Sequence, residues 1–162
     1  MRIRTQHNAF HQEVFRALGF EPVAIDPSEL PRAVREGRVD AQENPLTNLV
    51  NFGIHEHHPH VTLSAHLFGV ALVLVNREGY DAWPEAVRTG VHAALDEASA
   101  AQHGFAKDDD VTCLARLAET GNRVLQPSAA ERAAFAAAVA PVVDVERARI
   151  DPDVFKLLDS TA

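Results

Sequence analysis

Two glycines, Gly19 and Gly37, set the strongest limit on how this chain folds. Each follows a stretch with helical spacing and precedes a short β-prone run. Residues 8–18 place Phe10, Val14, Phe15 and Leu18 on one helical face, and Gly19 stops them. Residues 21–25 read as a strand with Pro22 at its start. Asp26-Pro27-Ser28-Glu29 opens a second helix, with Ser28 or Asp26 as N-cap. Pro31 is tolerated because it falls in the first turn, and Gly37 ends that helix. Residues 1–5 and 39–42 add a strand at either end. Strand, helix, strand, helix, strand at this spacing predicts an open α/β arrangement with at least partly parallel strands.

The third strand does not end as a core strand should. It runs into Asp40-Ala41-Gln42-Glu43-Asn44-Pro45, two acids and two amides ahead of a proline. Pro45 pushes Asn44 towards extended geometry. That holds an amide, which both donates and accepts, at a strand-to-helix junction. Such a group at the end of a strand suits a polar small-molecule ligand.

Composition narrows the function classes. The chain has 162 residues, is 46% hydrophobic and carries a formal charge of -8. One domain, or parts of two, fits that length. The 15 Lys and Arg are scattered, whereas a phosphate-binding surface needs clustered cations, so no nucleic-acid partner is expected. Cys113, the single cysteine, makes no CxxC pair and reads as an inert half-buried thiol. No apolar run reaches the roughly 18 residues of a membrane span. Met1-Arg2-Ile3-Arg4 lacks a signal-peptide apolar region, so the chain taken literally is cytoplasmic. Nothing in the motifs implies a cofactor.

Further on, a helix is expected from Asn44 to about Phe52, then the cluster His55-Glu56-His57-His58-Pro59-His60. Residues 61–67 and the continuously apolar run from Val70 to Val75 read as strands, the second buried on both faces. Residues 84–101 and 110–119 read as separate helices, the latter with Asp108, Asp109 and Asp110 at its positive end. Ser128-Ala129-Ala130-Glu131 is a capping box opening a helix to about Ala140. Residues 151–158 add a last turn or two.

The succession resembles the substrate-binding proteins of TRAP transporters. The resemblance is carried by Ile3-Arg4, Ala17-Leu18-Gly19-Phe20-Glu21-Pro22-Val23, Ser28-Glu29-Leu30 and, most specifically, Gly37-Arg38-Val39-Asp40-Ala41-Gln42-Glu43-Asn44-Pro45-Leu46. Leu63-Ser64-Ala65-His66 resembles the family's strand entering the hinge, and Trp83-Pro84 its helix start. The resemblance implies a periplasmic-binding-protein-like class II α/β fold. One lobe, a hinge strand and C-terminal helices are present, and the first lobe is mostly absent. By the same resemblance, residues 1–69 form the second-lobe ligand-binding segment. Residues 70–104 form the hinge strand and a helix that packs in the first lobe, and residues 105–162 the C-terminal helices.

In the family a strand arginine clamps the ligand carboxylate; Arg4 fits that register, and Arg2 is expected on the opposite face of the same strand. A planar guanidinium makes two parallel charge-assisted bonds to a carboxylate. Asn44 is the second implied contact; Gln42, Glu43, Pro27 and His66 complete the implied set. Pro27 replaces an aromatic that packs on the ligand, Pro31 a tyrosine, and Ala41 a glycine. The implied function is non-catalytic capture of a small organic carboxylate (C4-dicarboxylate, keto acid or sugar acid) for a TRAP membrane permease. The resemblance implies periplasmic localisation. The apolar strand from Val70 to Val75 lacks its expected neighbours and predicts a dimer or a complementing chain. Two other classes compete: a remnant without ligand binding, and a metal-binding protein or enzyme using His55, His57, His58 and His60 with Asp40 or Glu43. No GxSxG, CxxC or HExxH supports the latter, and a physiological metal site is not expected.

Overall fold

The computed structural model describes residues 1–67 and 69–159. The chain divides into two units, Met1–Ser64 with the residues from Leu117 onward, and Ala65–Arg116.

The first unit is built on three parallel strands, β1 (Arg2–Thr5), β2 (Glu21–Ala24) and β3 (Ala41–Gln42), in the order β2-β1-β3. The connections are α1 (Ala9–Ala17) and α2 (Leu30–Arg35). Both glycines act as expected from the sequence. Gly19 and Gly37 have φ of 84° and 65°, a region open to glycine and strained for other residues. Around each, two backbone bonds close the helix: Phe20 N to Phe15 O (3.0 Å) with Gly19 N to Arg16 O (2.9 Å), and Arg38 N to Ala33 O (2.9 Å) with Gly37 N to Val34 O (3.0 Å). This double closure turns the chain back into the sheet within two residues.

The start of α2 differs from expectation. Neither Asp26 nor Ser28 caps it; Glu29 holds the N-cap position without a side-chain bond. Asp26 Oδ1 instead accepts from Ser28 N (2.9 Å) and Ser28 Oγ (2.6 Å). That local turn competes with capping because a short acidic side chain bonds its own backbone two residues on.

After β3 come α3 (Leu46–Asn51), a 3-10 turn (Ile54–Glu56) and β4 (His60–Thr62), which pairs in parallel with β5 (Arg123–Leu125). The core of the unit joins Ile25, Leu30, Ala33, Val34, Val39, Leu49, Ile54 and Leu117. Asn122 ties this end together, its Nδ2 donating to His55 O (2.8 Å) and His58 O (3.2 Å). The capping box at Ser128 forms as expected and opens α6 (Ala129–Arg147). That helix runs past Ala140 through Pro141, where Pro141, Val142 and Val145 line an apolar groove with Ala9 and Phe10 of α1. Packing against α1 offsets the backbone bond that a mid-helix proline removes. A last helix, α7, spans Pro152–Asp159.

The second unit contains α4 (Arg77–Asp81) and most of α5 (Glu85–Glu119). The two helices expected at 84–101 and 110–119 are one. No proline lies between them, and Gly104 weakens a helix by only about 1 kcal/mol, so the acids at 108–110 sit in mid-helix rather than at a positive end. Cys113 is buried, and burial followed by Asp109 and Asp110 pushes its thiol up.

Two strand expectations fail here. β4 stops at Thr62 rather than reaching Leu67, and residues 70–75 form no strand. Val70, Leu72, Val73, Leu74 and Val75 stand exposed, Leu74 at 84%. A strand needs a neighbour for its ladder, and none of the described residues supplies one. No described helix is long and apolar enough to cross a membrane.

Candidate functional site

Parallel strands bring their C-terminal ends to one edge of the sheet, where open α/β folds bind ligands. In the first unit that edge is formed by the residues after Thr5, Ala24 and Gln42. Arg4 lies on the central strand, in register with Val23 on one side and Gln42 on the other.

Arg4 is 1% exposed. Its Nε donates to Ile25 O at 2.9 Å. Its Nη2 is buried and has no hydrogen-bond partner among the described residues. Burial pulls the guanidinium below its ordinary pKa, and the charges of Glu43 and then Asp26 push it back up. A buried cation with an unmet donor is destabilising in isolation, and an incoming carboxylate would meet both needs.

Arg2 behaves differently. Residues two apart on a strand share a face, so nothing in the strand period separates Arg2 from Arg4. What separates them is Asp40. Arg2 Nη2 and Nε donate to the Asp40 carboxylate at 2.8 and 3.3 Å, Arg2 N donates to Asp40 Oδ2 at 2.8 Å, and Nη2 also reaches Gly37 O at 2.9 Å. Hydrogen bonds from the Arg2 side chain and backbone hold the Asp40 carboxyl down to about 2. Asp40 is therefore a structural partner of Arg2.

The amides beyond β3 form a short relay. Asn44 Nδ2 donates to Gln42 Oε1 at 2.6 Å, and Asn48 Nδ2 donates to Asn44 Oδ1 at 3.3 Å. All are partly buried. Each amide has more donors and acceptors than these bonds use. Pro45, not Asn44, holds the N-cap position of α3, with an extended φ of -55° and ψ of 153°. Glu43 Oε1 lies 3.5 Å from Nε2 of His11, both side chains little exposed, and the His11 ring meets Phe15 edge-on with centroids 5.1 Å apart.

Arg4, Gln42, Glu43 and Asn44 thus share one edge of one sheet. Pro27 is exposed in the turn after β2, and His66 is exposed in the second unit, after Ala65 with its positive φ of 47°. Sequence reasoning passed over His11, Asn48 and Asp26. His11 and Asn48 sit on helices α1 and α3, where polar residues ordinarily face solvent, so only the folded arrangement singles them out.

The histidine run reads differently in three dimensions. His55 is buried, its Nδ1 3.4 Å from Leu49 O and its Nε2 without a hydrogen-bond partner among the described residues. His58 is half-buried, with its pKa lowered by burial and then by His57. Among the described residues none of His55, His57, His58 and His60 joins a convergent group of three or more metal-ligating side chains.

Over residues 1–149 the sequence matches the family described as bacterial extracellular solute-binding protein, family 7 (DctP). The chain belongs to that family. Members are periplasmic, non-catalytic binding components of TRAP transporters. One relative is the C4-dicarboxylate-binding periplasmic protein DctP of Rhodobacter capsulatus, 31% identical over 93% of this chain and 45% of its own length. A solved TRAP periplasmic solute-binding protein from Ochrobactrum anthropi, with its C-terminus bound in the ligand-binding pocket, superposes with a TM-score of 0.90 at 28% identity. It covers 98% of this chain and 49% of that one. A third, from Polaromonas, bound to D-erythronate, gives 0.77 at 26% identity, over 91% of this chain and 48% of that one. The chain spans about half the length of the relatives it matches. The fold is the class II periplasmic-binding-protein type, and the part present corresponds to about one lobe.

Proposed function

We propose that this chain supplies the carboxylate-clamping half of a TRAP solute receptor. It captures a small organic acid in the periplasm and delivers it to the transporter's membrane permease. The observation behind this is the Nη2 of Arg4, buried and unpartnered at the ligand-binding edge of a parallel sheet. The clamp residues are Arg4 and Asn44, supported by Gln42 and Glu43, with Pro27 and His66 completing the proposed set. Relatives named for C4-dicarboxylates and solved with D-erythronate bound support an acidic ligand. Residues 1–69 act as the ligand-binding segment of the second lobe, with 70–104 and 105–162 as the hinge region and the C-terminal helices.

One observation favours an additional reading. Residues 70–75 are apolar and uncovered. A second copy or a complementing chain that adds a strand there would bury them and complete the cleft. The competing reading is a remnant without ligand binding.

A thermal-shift screen with succinate, pyruvate, D-glucuronate and N-acetylneuraminate separates these outcomes. A ligand at about 100 times its Kd stabilises by about 2.7 kcal/mol. Stabilisation by at least one acid, lost in Arg4→Ala, is expected. If no acid stabilises the chain at millimolar concentration, the binding function fails.

A further inference from the structure

We propose that Asp26 is a specificity-determining residue of the Arg4 site, one that favours acids with a single carboxylate and several hydroxyls over acids with two carboxylates. The proposal rests on Arg4 being the carboxylate clamp.

The strand order places this residue. β2 and β3 flank β1, and all three run parallel. Asp26 leaves the end of β2 directly after Ile25, whose carbonyl receives Arg4 Nε and whose N–H donates to Thr5 O at 3.2 Å. Glu43 leaves the end of β3 directly after Gln42, the register partner of Arg4. One buried guanidinium is therefore flanked by a carboxylate on each neighbouring strand end.

Asp26 is a fixed charge. Its Oδ1 is held by both Ser28 N and Ser28 Oγ. Those bonds, the first cause, keep its carboxyl below the ordinary range, with smaller contributions from His7 and Arg4. The charges acting on Arg4 are Glu43 and Asp26, both negative. Arg2 is committed to Asp40, and His11 lies against Glu43.

The charge balance follows. Arg4 compensates one ligand carboxylate at its unpartnered Nη2. A second ligand carboxylate would meet negative charge on both sides, and such like-charge placement is how a site rejects a wrong partner. The Gln42–Asn44–Asn48 relay is neutral and offers both donors and acceptors, which suits hydroxyls. The proposal departs from the Rhodobacter capsulatus relative, which is named for C4-dicarboxylates.

D-Gluconate and D-glucarate test it, because they differ only in a terminal CH2OH against a carboxylate. Calorimetric titration of the full chain should show gluconate binding about tenfold tighter. Asp26→Asn should shrink that ratio by about threefold or more, strengthening glucarate binding more than gluconate binding. The effect should fade at high salt, because Asp26 is exposed and screened. Glucarate binding as tightly as gluconate, or a ratio that Asp26→Asn does not move, overturns the proposal while leaving the clamp intact. Equal affinity for both acids in Arg4→Ala and the native chain, or binding of neither acid, overturns the clamp and the selectivity with it.

Discussion

The two arginines of β1 face opposite fates within two residues. The Arg2 side chain is partly exposed and makes three hydrogen bonds among the described residues, two of them to Asp40. The Arg4 side chain is buried and makes one, with Nη2 left over among the described residues. A chain selected for stability alone would arrange these the other way, since an unmet buried donor costs more than an exposed pair returns. The contrast separates an arginine that holds the fold from one that waits for a ligand.

The largest expected effect is on affinity. Each charge-assisted bond contributes about 1.5–3 kcal/mol, so replacing Arg4 with methionine should weaken binding of the best-stabilising acid by about a hundredfold or more. Arg2→Met should leave that affinity within about twofold. Equal losses in calorimetric titration of the two variants would erase the distinction between them.

Asn44→Ala should follow, weakening binding by up to about tenfold, the worth of one net hydrogen bond. No change would reduce the amide relay to packing.

The Arg2 end predicts a pH effect instead. The Asp40 carboxyl titrates at about 2 in the folded chain, against about 3.9 unfolded. Its contribution to stability is fully present above the unfolded value and disappears as pH falls through about 2. The thermal midpoint should therefore drop between about pH 4 and pH 2, and Asp40→Asn should flatten part of that slope. An unchanged slope in the variant would show that Arg2 does not hold Asp40 in solution.

The smallest stability effect belongs to the second unit. Leu72→Glu with Leu74→Glu should change the unfolding midpoint little, within about 0.5 kcal/mol, because both side chains are exposed. The same pair should lower self-association in gel filtration and dye binding to apolar surface. A large loss of stability would mean that this run is already covered in solution.

Much of the first unit was legible in the sequence because its signals are local. Gly19 and Gly37 were expected to end helices, and two helical connections joining three strands implied at least partly parallel pairing, which the sheet shows throughout. Arg4 was reached through the family pattern; the grounds for setting Arg2 aside were visible only in the structure, where Asp40 occupies it. Asp26 looked like a helix cap, because an Asx turn and an N-cap use the same residue in the same chemistry. The single helix α5 was missed because Gly104 and three acids read as an interruption, while nothing there forbids helix. His11 and Asn48 were missed because their role depends on which elements meet. The run from Val70 to Val75 was read correctly as apolar and without neighbours, but a strand does not form where no ladder partner is present.

The most direct test of the account is urea unfolding of the native chain and of Arg4→Met, each with and without the organic acid that stabilises best. Replacing an incompletely paired buried ion with an apolar side chain is often neutral or stabilising. The account predicts that Arg4→Met without ligand is at least as stable as the native chain and that added acid no longer shifts its midpoint. An Arg4→Met chain that is much less stable yet still stabilised by the acid would contradict it, because Arg4 would then serve the fold and not the ligand.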